Sequence, residues 1–129
     1  MSDFKLTNLK QLEDSAAARG PDIEARFARQ PLESEHLGIS YFRYAPGYRS
    51  PIGHRHREQE EAYVVLSGSG RAKLDDQIVE LQQWDVLRVA PRVVRSFEGG
   101  PDGIELIAVG SDRPEGGDGE MIPDHWSED

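Results

Sequence analysis

From Ile23 onward the chain reads as short runs of strand-forming residues cut by turn signals. The runs are "IEARFARQ", "LGISYFRYA", "EAYVVLSG", "RAKLD", "IVEL", "DVLRVA", "RSFEG" and "GIELIAVG". Between them stand Pro46-Gly47, Gly68-Ser69-Gly70, Asp75-Asp76, Gly99-Gly100-Pro101 and Gly110, residues that favour turns over continued pairing. Regular short strands without long helical periods predict an all-β antiparallel sandwich or barrel. Several runs are apolar on both parities: Tyr63 and Val65 alternate with Ala62, Val64 and Leu66. One face then lines an interior while the other takes a covering layer. Before this region, Leu6, Leu9 and Leu12 stand at helical spacing, with Thr7 as a cap and Gly20-Pro21 as a stop, which predicts a short helix or turn. The tail after Ser111 is rich in glycine and acids and is expected to be loosely held, with Trp126 as the residue that gains from docking. The organisation is therefore an N-terminal extension over 1–22, a β-sandwich or barrel over 23–110 and a C-terminal tail over 111–129.

Composition narrows the chemistry. A chain of 129 residues fits one domain, and the lack of cysteine removes disulfides, thiolate-bound metals and thiol nucleophiles. Any metal must use nitrogen and oxygen ligands. With 24 acidic against 15 basic residues, a net charge of -9 works against nucleic acid and anionic lipid as partners. The first residues lack the basic start and apolar run of a secretory signal, and no window is apolar enough to span a membrane, so a cytoplasmic location is expected. Arg43, Arg49, Arg55, Arg57, Arg88, Arg92 and Arg95 cluster mid-chain, which keeps a small polar or anionic ligand in view.

The stretch "GHRHREQEEAYVVLSGSG" carries the densest chemistry. Residues i and i+2 of a strand share a face, so His54 and His56 present two imidazoles side by side. Unbroken parity would add Glu58 and Glu60 to that face. The polar "REQE" reads instead as a loop, which resets parity and puts Glu61, Tyr63 and Val65 on one face. The residues alone leave Glu60 and Glu61 as alternatives. No nucleophile elbow, phosphate-cradling glycine loop or His-Glu-x-x-His helix occurs.

His54, His56, then four residues, Glu61, six residues and Gly68 resemble the first motif of the cupin family; Gly47 stands one residue too far from His54 to serve as its leading glycine. The resemblance implies a jelly-roll β-barrel from about Leu37 to Gly110 and a divalent metal (Mn, Fe, Ni or Zn) on His54, His56 and Glu61. It also selects Glu61 over Glu60 and implies no organic cofactor. The family's second motif, laid on "WDVLRVAPRVVRSFEGG", falls on Trp84, Ala90, Arg92, Arg95 and Gly99, with every defining residue replaced. Arg95 thus stands where a histidine ligand would be. A guanidinium cannot ligate, and its charge opposes a cation. Two readings follow: a three-point metal site with Arg95 orienting an anionic substrate, or an Arg95–Glu61 pair in a metal-free pocket. Tyr41, Tyr63 and Phe97 are the candidate rings beside Arg95 for substrate binding. The first reading implies a metal-dependent oxygenase or isomerase; the second implies a non-catalytic binding or sensing module. A homodimer is expected, with "IEARFARQ" extending a sheet across the subunit boundary.

Overall fold

A computed structural model describes residues 3–126; the outermost parts of the expected N-terminal extension and tail, 1–2 and 127–129, lie outside the described residues. Eight antiparallel strands make one curled sheet: β1 (Ile23–Phe27), β2 (Gly38–Tyr44), β3 (Ile52–His56), β4 (Glu61–Leu74), β5 (Gln77–Gln82), β6 (Val86–Val89), β7 (Arg95–Gly110) and β8 (Gly119–Pro123). The only helical elements among the described residues are two single 3₁₀ turns, Leu9–Gln11 and Ala17–Arg19. The first is capped by Asn8, whose side chain accepts from the Lys10 amide, and not by Thr7.

Two long strands organise the barrel. β4 has 14 residues and β7 has 16, and they pair along most of their length. At one end β4 also pairs β6 while β7 pairs β2. At the other end β4 pairs β5 while β7 meets β3 at His54↔Arg95. Each long strand therefore serves both walls.

Glycine makes this bend, at stretches where the turn signals predict breaks between strands. Gly68 has φ 74°, and a Cβ there would run into the Gly103 backbone. Only glycine lets the two chains cross so closely, and β4 shifts register between Val65 and Ser67 and again between Gly68 and Gly70. "EAYVVLSG" and "RAKLD" are one strand, as are "RSFEG" and "GIELIAVG".

The interior is packed by alternate residues of these strands. Tyr63, Val65, Phe97, Ile104 and Leu106 are at most 3% exposed. Phe97 stacks on Tyr44 at 6.2 Å and meets Tyr63 at 4.8 Å between centroids. Opposite-parity residues face out beneath the N-terminal extension, where Glu24 accepts from Lys10 at 2.7 Å, Arg26 at 2.6 Å and Arg43 at 2.9 Å.

The acidic tail differs from the loose segment expected of it. Residues Gly119–Pro123 pair with all five residues of β3, so the sheet extends beyond the 23–110 span. His125 then locks onto the barrel: its Nδ1 lies 2.6 Å from Ser96 Oγ and its Nε2 2.9 Å from the Asp75 carbonyl. Trp126 is buried at 5%, with the Arg49 guanidinium 5.0 Å from its ring centre. Pairing and docking outweigh composition here, because backbone hydrogen bonds to β3 do not depend on which side chains the tail carries.

Candidate metal centre

β3 brings His54 and His56 to one end of the barrel. Their rings lie edge to face, 5.1 Å apart at 87°. β3 stops at His56, four loop residues follow, and β4 opens on Glu61, so the parity reset places Glu61 inward. Glu60 points out to solvent and pairs with Arg88 at 3.1 Å. The alternative between the two glutamates thus resolves to Glu61.

One oxygen gathers the cluster. Glu61 Oε1 lies 3.3 Å from His54 Nε2, 3.3 Å from His56 Nε2 and 3.3 Å from Arg95 Nη1. The Tyr63 hydroxyl donates to it at 2.5 Å. Burial opposes charge on Glu61, yet the bonds from His54, His56 and Tyr63 hold its carboxyl well below the usual carboxylate range. Burial and the Glu61 charge push the Tyr63 phenol up, so it stays a donor.

His56 has a second carboxylate behind it. Asp118 Oδ1 lies 2.9 Å from His56 Nδ1, and Asp118 Oδ2 accepts from the amides of Glu58 at 2.7 Å and Gln59 at 2.9 Å. Burial opposes the Asp118 charge, but those two amides and His56 bring its pKa down to about 2. Burial lowers the His56 pKa; the bonds to Glu61 and Asp118 overcome it and raise the ring above its ordinary value. His56 Nε2 is buried and has no well-aligned hydrogen-bond partner. With Nδ1 occupied by Asp118, the other ring nitrogen is the one turned to the cluster.

His54, His56 and Glu61 each offer an atom such that all three lie within 4.8 Å of one another. Two imidazoles and one carboxylate are a nitrogen–oxygen set suited to Mn, Fe, Ni or Zn, and the buried His56 Nε2, which faces Glu61 without a well-aligned hydrogen bond, is what such an ion would take up. The residues therefore fit a divalent metal.

The four residues expected to bind substrate are placed differently. Arg95 does enter the cluster, on the strand facing His54, but its side chain is 0% exposed. Besides Glu61 it donates from Nη2 to the carbonyls of Ala90 at 2.7 Å and Pro91 at 3.4 Å, and its Nε has no partner. Enclosed in this way, it is placed as counter-charge to Glu61. Tyr63 joins through its hydroxyl, while its ring and that of Phe97 fill the core. Tyr41 has the opposite parity and bonds Glu105 on the outer face, apart from the histidines. The open side of the cluster is at His54, whose side chain is 31% exposed.

Trp84 supports the placement of Arg95. It adopts φ 74°, the left-handed region that favours glycine, at the position where the second motif carries one. The turn keeps its shape because the Trp84 amide bonds the Val65 carbonyl at 2.9 Å and Asp85 accepts from the Gln82 amide at 2.8 Å. Sequence reasoning missed Asp118. It lies 62 residues from His56, among other acids, and its one local mark is its place in "GGDG".

Comparison with known proteins follows the same lines. A family model described as a cupin domain matches residues 40–109. A cupin protein from Bacteroides fragilis superposes with a TM-score of 0.72 at 23% identity, covering 88% of each chain. The polyketide cyclase RemF from Streptomyces resistomycificus gives 0.71 at 20% identity, over 92% of this chain and 84% of that one. An oxalate decarboxylase variant from B. subtilis gives 0.73 at 19% identity, over 92% of this chain but 33% of the longer enzyme. At these identities the likeness carries the fold. No curated protein matches the sequence.

Proposed function

This chain belongs to the cupin family, and on that premise we propose that it is a metal-dependent enzyme, an oxygenase or isomerase acting on a small polar or anionic metabolite. His54, His56 and Glu61 would hold one divalent ion of Mn, Fe, Ni or Zn. When bound, the ion would polarise a carbonyl or activate oxygen or water. The observation that carries this reading is the pair of nitrogens on His56: Nδ1 at 2.9 Å from Asp118, and Nε2 buried beside Glu61 without an aligned partner.

The chain's own residues define the rest. Arg95 neutralises Glu61 when the site is empty and adds positive charge when an ion is present. A dication with Arg95 then exceeds Glu61 and Asp118 by one positive charge, which favours an anionic group as the remaining ligand. The packed rings of Tyr63 and Phe97 close the interior below the cluster, so substrate approaches from the His54 side. That geometry suits a small molecule.

Protein purified without a metal-affinity tag, analysed for metals as isolated and after incubation with each of the four ions, tests the reading. About one ion per chain, lost in His54→Ala, is expected. No uptake of any of them overturns it in favour of a metal-free binding or sensing module. That second reading has its own support in the pairing of Glu61 with the enclosed Arg95, which balances the carboxylate without an ion.

We also propose a homodimer. Among the described residues β1 pairs only with β2 and so leaves one edge of the sheet open, and Phe4 and Leu6 in the N-terminal extension are 85% and 92% exposed. Sedimentation at micromolar concentration should give twice the 14.4 kDa chain mass; a 14.4 kDa particle overturns the dimer.

A further inference from the structure

We infer that Asp118, carried by the C-terminal tail, is a positioning residue for the metal centre: it holds His56 by Nδ1–H and so directs the Nε2 lone pair at the ion. This rests on the metal reading above. It adds that the tail is part of the site.

Three observations converge on it. The Asp118 side chain is fully buried, and both of its oxygens are engaged, one by His56 and one by the Glu58 and Gln59 amides. Those amides belong to the loop that joins His56 to Glu61, so one carboxylate fixes both a ligand ring and the connection to the next ligand. The tail, finally, is built to deliver it. Gly116 and Gly117 have φ of 82° and 85°, a turn that other residues adopt at a cost, and β8 begins immediately after Asp118, its Gly119 paired with His56 itself.

The physical consequence concerns the choice of ring nitrogen. An imidazole has one lone pair when neutral, and a ligand ring whose far nitrogen donates to a carboxylate presents that pair to the metal in one fixed direction and with greater basicity. Without Asp118, His56 would divide between two tautomers and rotate more freely. Only one of those tautomers ligates through Nε2.

Two readouts on the full-length protein test this. Nitrogen-15 NMR of the His56 ring at alkaline pH, without metal, should report the Nδ1–H tautomer in the parent and a mixture in Asp118→Ala. Calorimetric titration with zinc alone should show affinity falling about 10–100-fold in Asp118→Ala. Asp118→Asn keeps the size of the side chain but has a single acceptor oxygen, and should move both readouts in the same direction. Unchanged zinc affinity and an unchanged tautomer in either folded variant overturn the inference. If both variants fail to fold, the parent spectrum decides, because an Nε2–H tautomer there overturns it without any variant. Parent protein that takes up no metal removes the reading on which this rests and the affinity half with it. The tautomer then still decides whether Asp118 directs the ring.

Discussion

Two carboxylates in this barrel gather several partners each, and they differ in what those partners can do. Glu24, under the N-terminal extension, holds Lys10, Arg26 and Arg43. Glu61, inside the barrel, holds His54, His56, Tyr63 and Arg95. Both are held in the charged form: burial resists it, and the surrounding donors more than compensate. A lowered pKa therefore does not distinguish a tie from a site. The partners do. The partners of Glu24 are an ammonium and two guanidiniums, which donate and do not ligate in their charged forms, so that cluster serves to fasten the extension to the sheet. The two imidazoles around Glu61 can exchange a proton for a metal ion.

The sharpest way to break this comparison is Arg95→Ala. It leaves Glu61 buried without its permanent counter-charge and opens a hole in the wall, so urea unfolding should show a loss of about 3–5 kcal/mol. A loss below about 1 kcal/mol would mean that the enclosed ion pair matters no more than a surface one.

Glu24→Gln should cost less, about 2 kcal/mol near neutral pH, since three charge-assisted bonds become weaker ones without a cavity. Its pH dependence has a definite sign. Burial works against the Glu24 charge, but bonds from Lys10, Arg43 and Arg26 bring its pKa to about 2 from 4.5. Stability from this group is complete above pH 4.5 and is lost as the pH falls toward 2. Melting curves of the parent across that window should fall more steeply than those of Glu24→Gln. Equal slopes would remove Glu24 as a contributor.

Arg95→His turns the inner cluster toward its proposed chemistry by exchanging a cation for a neutral nitrogen. Zinc affinity by calorimetry should rise by about tenfold, and His54→Ala in that background should abolish the gain. An unchanged affinity in a folded Arg95→His protein would show that the guanidinium does not oppose the ion.

Lys10→Ala should have the smallest effect. Its side chain is 56% exposed, so water screens its pairing with Glu24; the expected loss is below about 1 kcal/mol, with no change in metal uptake. A change in metal uptake would mean that the two clusters communicate through the sheet.

Much of this contrast was legible in the order of residues. The spacing of His54, His56, Glu61 and Gly68 marked the inner cluster, and the alternation of Glu61, Tyr63 and Val65 marked the face they share. Arg95 was placed against them by a motif of which it kept no defining residue, and it does lie beside Glu61. The outer cluster had no such mark, because Lys10, Glu24 and Arg43 meet only once the extension has folded over the sheet.

By itself the sequence determined local conformation: strand periods, the shared face of His54 and His56, and a motif spacing that selects Glu61 and marks the family. These follow from backbone geometry, which acts over a few residues. Tertiary structure decided whether the glycine-rich stretches broke strands or bent them, because that depends on how closely Gly68 passes Gly103. It also decided that Arg95 would be sealed in, that Tyr41 would face outward and that an acid in the tail would meet His56, 62 residues away. Burial and pairing at such separations are properties of the curled sheet as a whole, and no local pattern encodes them.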